Sequence, residues 1–290
     1  MRNILTVDVE DYFHVEAFAG VIPPESWSTF PSRVQRNTVR LLEILSARNA
    51  QATFFVLGWV AERFPGLIRQ IRDAGHEVAC HGYAHRRVGA LQPDGFRTDV
   101  RRAKNVLEDI TGGKVTSYRA PSYSVTSETL WALETLKEEG FENDSSIFPI
   151  HHDLYGIPGA PRFPYVRRLR NGSFINELPP STIRFCRINL PVAGGGYLRL
   201  LPYHVTAWAI RRINETERQP AMLYVHPWEI DPEQPKIATR WRSSFRHYQN
   251  LDTTEDKLDR LLNAFAWQPV KTAVSEYIAS KVHLAEVNHA

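Results

Sequence analysis

The sequence predicts an α/β fold in which a mainly parallel sheet curls into a distorted (β/α)7-type barrel. Three observations carry this expectation. Short apolar runs rich in branched and aromatic residues alternate with amphipathic segments of helical period, the pattern of parallel strands joined by crossover helices. About seven such strands recur over about 220 residues, enough to bring a sheet near closure. At 290 residues, with 43% hydrophobic and 23% charged residues, the chain has the composition of a globular protein with a large core.

Taken in order, Ile4 to Val9 reads as a buried first strand. Val34, Thr38, Leu41, Leu42 and Leu45 recur at helical spacing and mark the first helix. The run Ala52-Thr-Phe-Phe-Val-Leu-Gly58 is a strand covered on both faces. A helix starts at Pro65, in the position where proline is tolerated, and stops at Gly75. His76 to Cys80 is a strand; Phe96, Val100, Ala103, Val106, Leu107 and Ile110 form one face of a helix closed by Gly112-Gly113. Val115 to Tyr118 is the next strand, Leu130 to Glu139 the next helix, and a strand follows from Phe141. Between about Phe148 and Pro202 prolines and the triplet Gly194-Gly-Gly196 predict a loop-rich insertion with short strands such as Phe174 to Leu178. Val205 to Ile213 resumes a helix, Met222 to Val225 a strand, and Leu258, Leu261, Leu262 and Phe265 a late helix.

Formal net charge is +3 and no long block of like charge occurs, so no nucleic-acid partner is implied. Arg162, Arg167, Arg168 and Arg170 form a local basic cluster, read as a solvated loop or as a rim attracting an anionic glycan. No segment is long and apolar enough for a signal peptide or a transmembrane helix, so the chain as given is expected to be cytosolic. Cys80 and Cys186 match no metal or redox spacing and read as small hydrophobes in a reducing compartment.

A barrel of this kind carries its chemistry where strands end and loops begin, and five groups of reactive residues stand at such ends. His81-Gly-Tyr-Ala-His85 places two imidazoles four residues apart, able to reach one cation. Asp8-Val-Glu-Asp11 sets three carboxylates after an apolar strand; buried together they require a cation or a basic partner. Arg119-Ala-Pro-Ser-Tyr123 offers a guanidinium to clamp a carboxylate and backbone N–H groups for a developing oxyanion. In Leu223-Tyr-Val-His226-Pro-Trp-Glu229 a histidine ends an apolar strand, suited to protonating a leaving amine. Asp144 ends a fifth strand and could tune that histidine.

These segments, in this order, resemble the NodB-homology polysaccharide deacetylases, carbohydrate esterase family four. Leu5-Thr-Val-Asp8 is similar to the family's TFDD, His81 to His85 to its H-[ST]-x-x-H, Arg119 to Tyr123 to its R-x-P-[YF], and Leu223 to His226 to its L-x-H. The segments DVEDYFHV, HGYAH, RAPSYS and RWRSSFRHY are similar, more narrowly, to deacetylases found with bacterial exopolysaccharide and exosortase gene clusters. The resemblance implies a NodB homology domain over residues 1–230, with residues 231–290 as a C-terminal extension packed on the barrel. It implies Asp8 as general base, His81 and His85 as metal ligands, Arg119 as partner of Asp8, Tyr123 as an oxyanion donor through its N–H, and His226 as general acid tuned by Asp144. Val9 stands where the family has its second aspartate, so the carboxylate ligand is Glu10, on the same side of the strand as Asp8, or Asp11, the family's usual ligand type. Gly82 replaces the family's hydroxyl residue, so the histidine pair must be braced from elsewhere.

The implied reaction is hydrolysis of the N-acetyl group of a glycan sugar, aided by a divalent cation, zinc or else cobalt, nickel or manganese, with Trp27, Tyr155, Tyr165, Trp228 and Trp241 as candidate sugar walls. Two rivals stand beside it: a cyclic-amide or allantoin-type amidohydrolase using the same site, and a catalytically silent glycan-binding protein of an exopolysaccharide system. The glycan and any homo-oligomer are left open. The basic-aromatic stretch Trp241 to His247 is read as part of the rim, a subunit contact, or plain packing.

Overall fold

The structure, a computed structural model, describes residues 1–278; the end of the C-terminal extension, 279–290, lies outside the described residues. In chain order the elements are β1 (Arg2–Val9), α1 (Val34–Ala47), β2 (Thr53–Val56), α2 (Gly58–Arg63), α3 (Pro65–Asp73), β3 (Glu77–Cys80), α4 (Val88–Thr111), β4 (Ser117–Tyr118), α5 (Trp131–Glu138) and β5 (Asn143–Asp144). Then follow β6 (Tyr165–Arg168), β7 (Phe174–Glu177), β8 (Thr182–Phe185), β9 (Ile188–Pro191), α6 (Gly195–Leu200), α7 (Tyr203–Glu215), β10 (Met222–Val225), α8 (Trp241–Tyr248), α9 (Leu251–Ala264), β11 (Ala266–Gln268) and α10 (Val270–Ala273). Two helices, α4 and α9, begin well before their sequence period indicates. α4 begins at Val88, breaks at Gln92 (φ 55°) before Pro93, and closes on Gly112 in the left-handed conformation.

The main sheet runs β10-β1-β2-β3-β4-β5-β7-β6, with β11 pairing the start of β1. All its pairs are parallel except β6 on β7. It curls as a barrel does, and among the described residues β10 and β6 do not pair to close it. Segment 148–202 differs from a plain loop-rich insertion, since β7 continues the sheet beside β5 and only β8 and β9 form a separate hairpin. The C-terminal extension likewise contributes β11 to the sheet.

Register decides what faces inward. Val9, Val56, Cys80 and Tyr118 lie in one row across β1 to β4 and belong to the core between sheet and helices. Because side chains alternate along a strand while paired neighbours share a face, the residues just after that row point inward. These are Glu10, His81 and Arg119, and the three strand ends therefore deliver them to one mouth. Deeper inside, Ile4, Phe55, Ala79, Leu178 and Met222 form an apolar floor. This apolar layer lies between the ionisable groups of the mouth and a polar set at the bottom, where Thr53, Glu77, Ser117 and Asn143 bond to one another.

Away from the mouth, His76 accepts the Ala52 N–H on Nδ1 (3.2 Å) and is buried. Burial lowers its pKa to about 4 from an unfolded value near 6.5. A group depressed on folding contributes stability above its unfolded pKa and loses it as pH falls toward the folded one. Replacing His76 with Gln is therefore expected to flatten the fall in stability between about pH 6.5 and pH 4, read from urea midpoints across that window. Parallel curves for variant and wild type would contradict the assignment.

Candidate metal and acid–base site

At the mouth, ligand atoms of Glu10, His81 and His85 all lie within 4.8 Å of one another. His81 Nδ1 donates to the Arg119 carbonyl (2.8 Å), which leaves its Nε2 as the free lone pair facing the cluster. Burial holds the His81 pKa down to about 4, so the ring is neutral, as a ligand must be. Glu10 Oε1 accepts the Trp228 indole N–H at 3.2 Å. Its Oε2 is buried, lies 2.7 Å from His85 Nε2, and receives no aligned hydrogen bond. Burial works against charge on Glu10, but His85 and His226 hold the carboxyl well below the usual carboxylate range. Two imidazoles and an anionic carboxylate with one orphaned oxygen suit a zinc-class cation and leave a coordination position open for a substrate.

The bracing that a hydroxyl would give at position 82 comes from α4. Asp99 accepts the N–H groups of Tyr83 (2.7 Å) and Ala84 (3.3 Å) and fixes the loop between the two histidines. Gly82 has φ +73°, and a Cβ there would stand 3.0 Å from Asp99 Oδ2. The glycine is the residue that lets the carboxylate approach.

Below the cluster, Asp8 Oδ1 accepts from Arg119 Nη1 at 2.6 Å. The guanidinium is fully buried and also binds Thr6 Oγ1, Ser145 O and Ser145 Oγ while lying 4.3 Å above the Phe55 ring. Asp8 Oδ2 is left facing His226 Nε2 at 3.8 Å, as expected for residues that follow the paired Val7 and Val225. His226 is held from behind by Glu229, whose Oε2 meets both the His226 N–H and Nδ1 at 2.9 Å. Burial would push the imidazole down, but Glu229, then Glu10 and Asp8, raise it to about 9. Beside His85 a cleft of about 310 Å³ opens, lined by Phe13, His14, Trp27, Arg86 and Arg87 among others.

The structure corrects three expectations. Asp11 takes no part in the cluster: its carboxylate accepts from Ser32 Oγ (2.6 Å) and the N–H groups of Arg33 (2.8 Å), Val34 (3.1 Å) and Tyr12 (3.1 Å), capping α1 from across the chain. Asp144 does not touch His226, because it pairs in register with Tyr118 and so points away from the interior. There it bonds Ser146 and stands in register with Glu177, whose carboxyl is pushed well up by burial and by the neighbouring Asp144. Its intended role falls to Glu229, visible in the sequence only as an acid three residues beyond the histidine. Finally, the Tyr123 N–H closes a turn onto the Ala120 carbonyl (3.1 Å) and is not offered to an oxyanion. Of the candidate sugar walls, Trp228 is buried between His226 and His247 and Trp27 is buried beside His14, whereas Trp241 is 72% exposed on α8.

Compared with known proteins, residues 22–140 match the family described as Polysaccharide deacetylase, and residues 145–275 the family described as Domain of unknown function (DUF3473). The chain is 31% identical over 98 residues to the Peptidoglycan-N-acetylglucosamine deacetylase of Bacillus cereus, covering 33% of this chain and 36% of that one. It is 32% identical over 115 residues to the Peptidoglycan deacetylase of Helicobacter pylori, covering 40% of this chain and 38% of that one. The chain thus spans well under half the length of these curated relatives. The fold is that of a crystal structure from Mycobacterium smegmatis named as a polysaccharide deacetylase, with TM-score 0.63, 22% identity and coverage of 96% and 90% of the two chains. Among the described residues no helix is long and apolar enough to cross a membrane.

Two consequences follow for zinc titration and urea unfolding. Replacing Glu10 with Gln should weaken zinc binding by more than the roughly 10–100-fold typical of outer-shell changes, whereas Asp11→Ala should leave zinc affinity in place and lower stability by about 1–3 kcal/mol through loss of the α1 cap. The opposite pattern would make Asp11 the ligand. Gly82→Ala should destabilise the loop by about 1–2 kcal/mol, the cost of a Cβ in the left-handed region; an unchanged urea midpoint would contradict the strain.

Proposed function

We propose, from the match of residues 22–140 to the family described as Polysaccharide deacetylase, that the chain hydrolyses N-acetyl groups on sugars of a polysaccharide or its precursor, with the help of a divalent cation. The observation that carries the reading is the juxtaposition of an Arg119-held Asp8 with His226 directly below the Glu10, His81 and His85 cluster.

In this reading Asp8 takes a proton from water as the water oxygen adds to the acetamide carbonyl carbon. Its Oδ1 is tied to Arg119, so Oδ2 is the atom free to act. The carbon–nitrogen bond then breaks as His226 Nε2 passes a proton to the departing amine, leaving acetate and an amino sugar. Glu229 occupies Nδ1 and fixes the ring with Nε2 toward the reaction. Glu10, His81 and His85 would hold the cation, which when bound supplies Lewis-acid polarisation of the acetamide carbonyl. The same site on a small cyclic amide would leave the cleft beside His85 without an occupant, and a polymeric or oligomeric glycan fits that open approach better.

Acetate release from N-acetylated chito-oligosaccharides and from peptidoglycan fragments tests the proposal. Activity should vanish with a chelator and return with zinc. Asp8→Asn and His226→Ala should each lower kcat by about 10²–10⁴-fold. Zinc-loaded protein that releases no acetate from any acetylated glycan would overturn it.

A further inference from the structure

The carboxylate that fixes His226 is itself held, and by a residue far along the chain. Arg199, buried in α6, donates from Nε to Glu229 Oε1 at 2.7 Å. Glu229 is entirely buried and its other oxygen is committed to His226, so Arg199 satisfies the remaining side of that carboxylate. The guanidinium does not stop there. Its Nη1 donates to the carbonyls of Arg246 and His247, both at 2.7 Å, and of Gln249 at 3.3 Å, at the end of α8 where helix carbonyls carry partial negative charge. The backbone of α6 is clamped in return: Asn250 Nδ2 binds the Arg199 carbonyl (2.9 Å), and Lys257 Nζ binds those of Leu198 (2.8 Å), Arg199 (3.1 Å) and Leu201 (2.8 Å). On the far side Trp228 stacks between His226 and His247, and His247 Nε2 is fixed by Gln234.

We propose that Arg199 is a positioning residue for His226: it locks the Glu229 carboxylate in the one orientation that grips the imidazole, and anchors that pair to the end of α8. The part of the chain matched to a domain of unknown function would then complete the active site, supplying the hold on the acid while the first part of the chain supplies the base and the cluster. The inference rests on the reading of His226 as general acid. Its physical reason is that a buried carboxylate with one oxygen left unpaired turns, takes up a proton or recruits water, and each outcome frees Nδ1 of the histidine.

The test compares wild type with Arg199→Met and Arg199→Lys, using zinc-loaded protein and N-acetylated chito-oligosaccharides, with Glu229→Gln as reference. Arg199→Met is expected to lower kcat by about 10–100-fold, the range of outer-shell losses, with KM and zinc affinity within about threefold of wild type. Arg199→Lys, which keeps the charge without the fork, should fall between. A second readout does not need turnover: the downfield proton resonance of His226 Nδ1–H, identified by its loss in Glu229→Gln, should shift or broaden in both Arg199 variants. If the wild type releases no acetate but the resonance still responds to Arg199, the positioning role stands and the substrate reading fails. Variants with wild-type kcat and an unmoved resonance, or with kcat, zinc affinity and the urea midpoint all falling together as in general unfolding, would overturn the proposal.

Discussion

The buried pair of Arg119 and Asp8 sets the terms for the rest of the site. A guanidinium with no exposure to water sits inside the barrel above an apolar floor of Ile4, Phe55, Ala79, Leu178 and Met222. Removing either partner would leave an uncompensated charge in a medium that solvates it poorly, a loss of about 3–5 kcal/mol in comparable buried pairs. The surroundings accordingly satisfy Arg119 on every side, with Thr6, Ser145 and the Phe55 ring beside the carboxylate. One consequence is chemical: Asp8 has one oxygen fixed and the other turned to the mouth. A second is structural, since the Arg119 carbonyl orients His81, and the same residue thereby holds both Asp8 and the cluster.

Convergence of the remaining groups follows from parallel register. Strand pairing puts Val9, Val56, Cys80 and Tyr118 in one outward row, and the residues that follow Val9, Cys80 and Tyr118 face in. Later parts of the chain then add what the first strands cannot. β10 brings His226 beside Asp8, the turn after it brings Glu229 behind His226, and Trp228 reaches across to Glu10. His226, Asp8 and the cluster are therefore connected to one another through buried contacts.

Much of this was legible in the sequence because strand ends are legible. Asp8, His81, Arg119 and His226 each follow an apolar run, and alternation along β1 singles out Glu10 as facing the same way as Asp8. What was hidden depended on partners distant in the chain. Asp11 looks like a ligand until α1 is seen to begin against it, more than twenty residues on. Asp144 closes a strand of two residues, too short for any alternation to show, and its outward direction appears only through pairing with Tyr118. The Tyr123 N–H is lost to a local turn with positive φ at Ser122 and Tyr123, which bulky side chains rarely adopt. Arg199 carries no motif at all; its meaning lies in where α6 and α8 meet.

The most direct measurement is a crystal structure of zinc-soaked protein with the ion located by anomalous scattering. A single ion is expected, bonded at about 2.0–2.2 Å to Glu10, His81 Nε2 and His85 Nε2, with Asp8 still paired to Arg119 and outside the ligand set. An ion bound through Asp8 or Asp11, or no ion at this mouth under saturating zinc, would contradict this expectation.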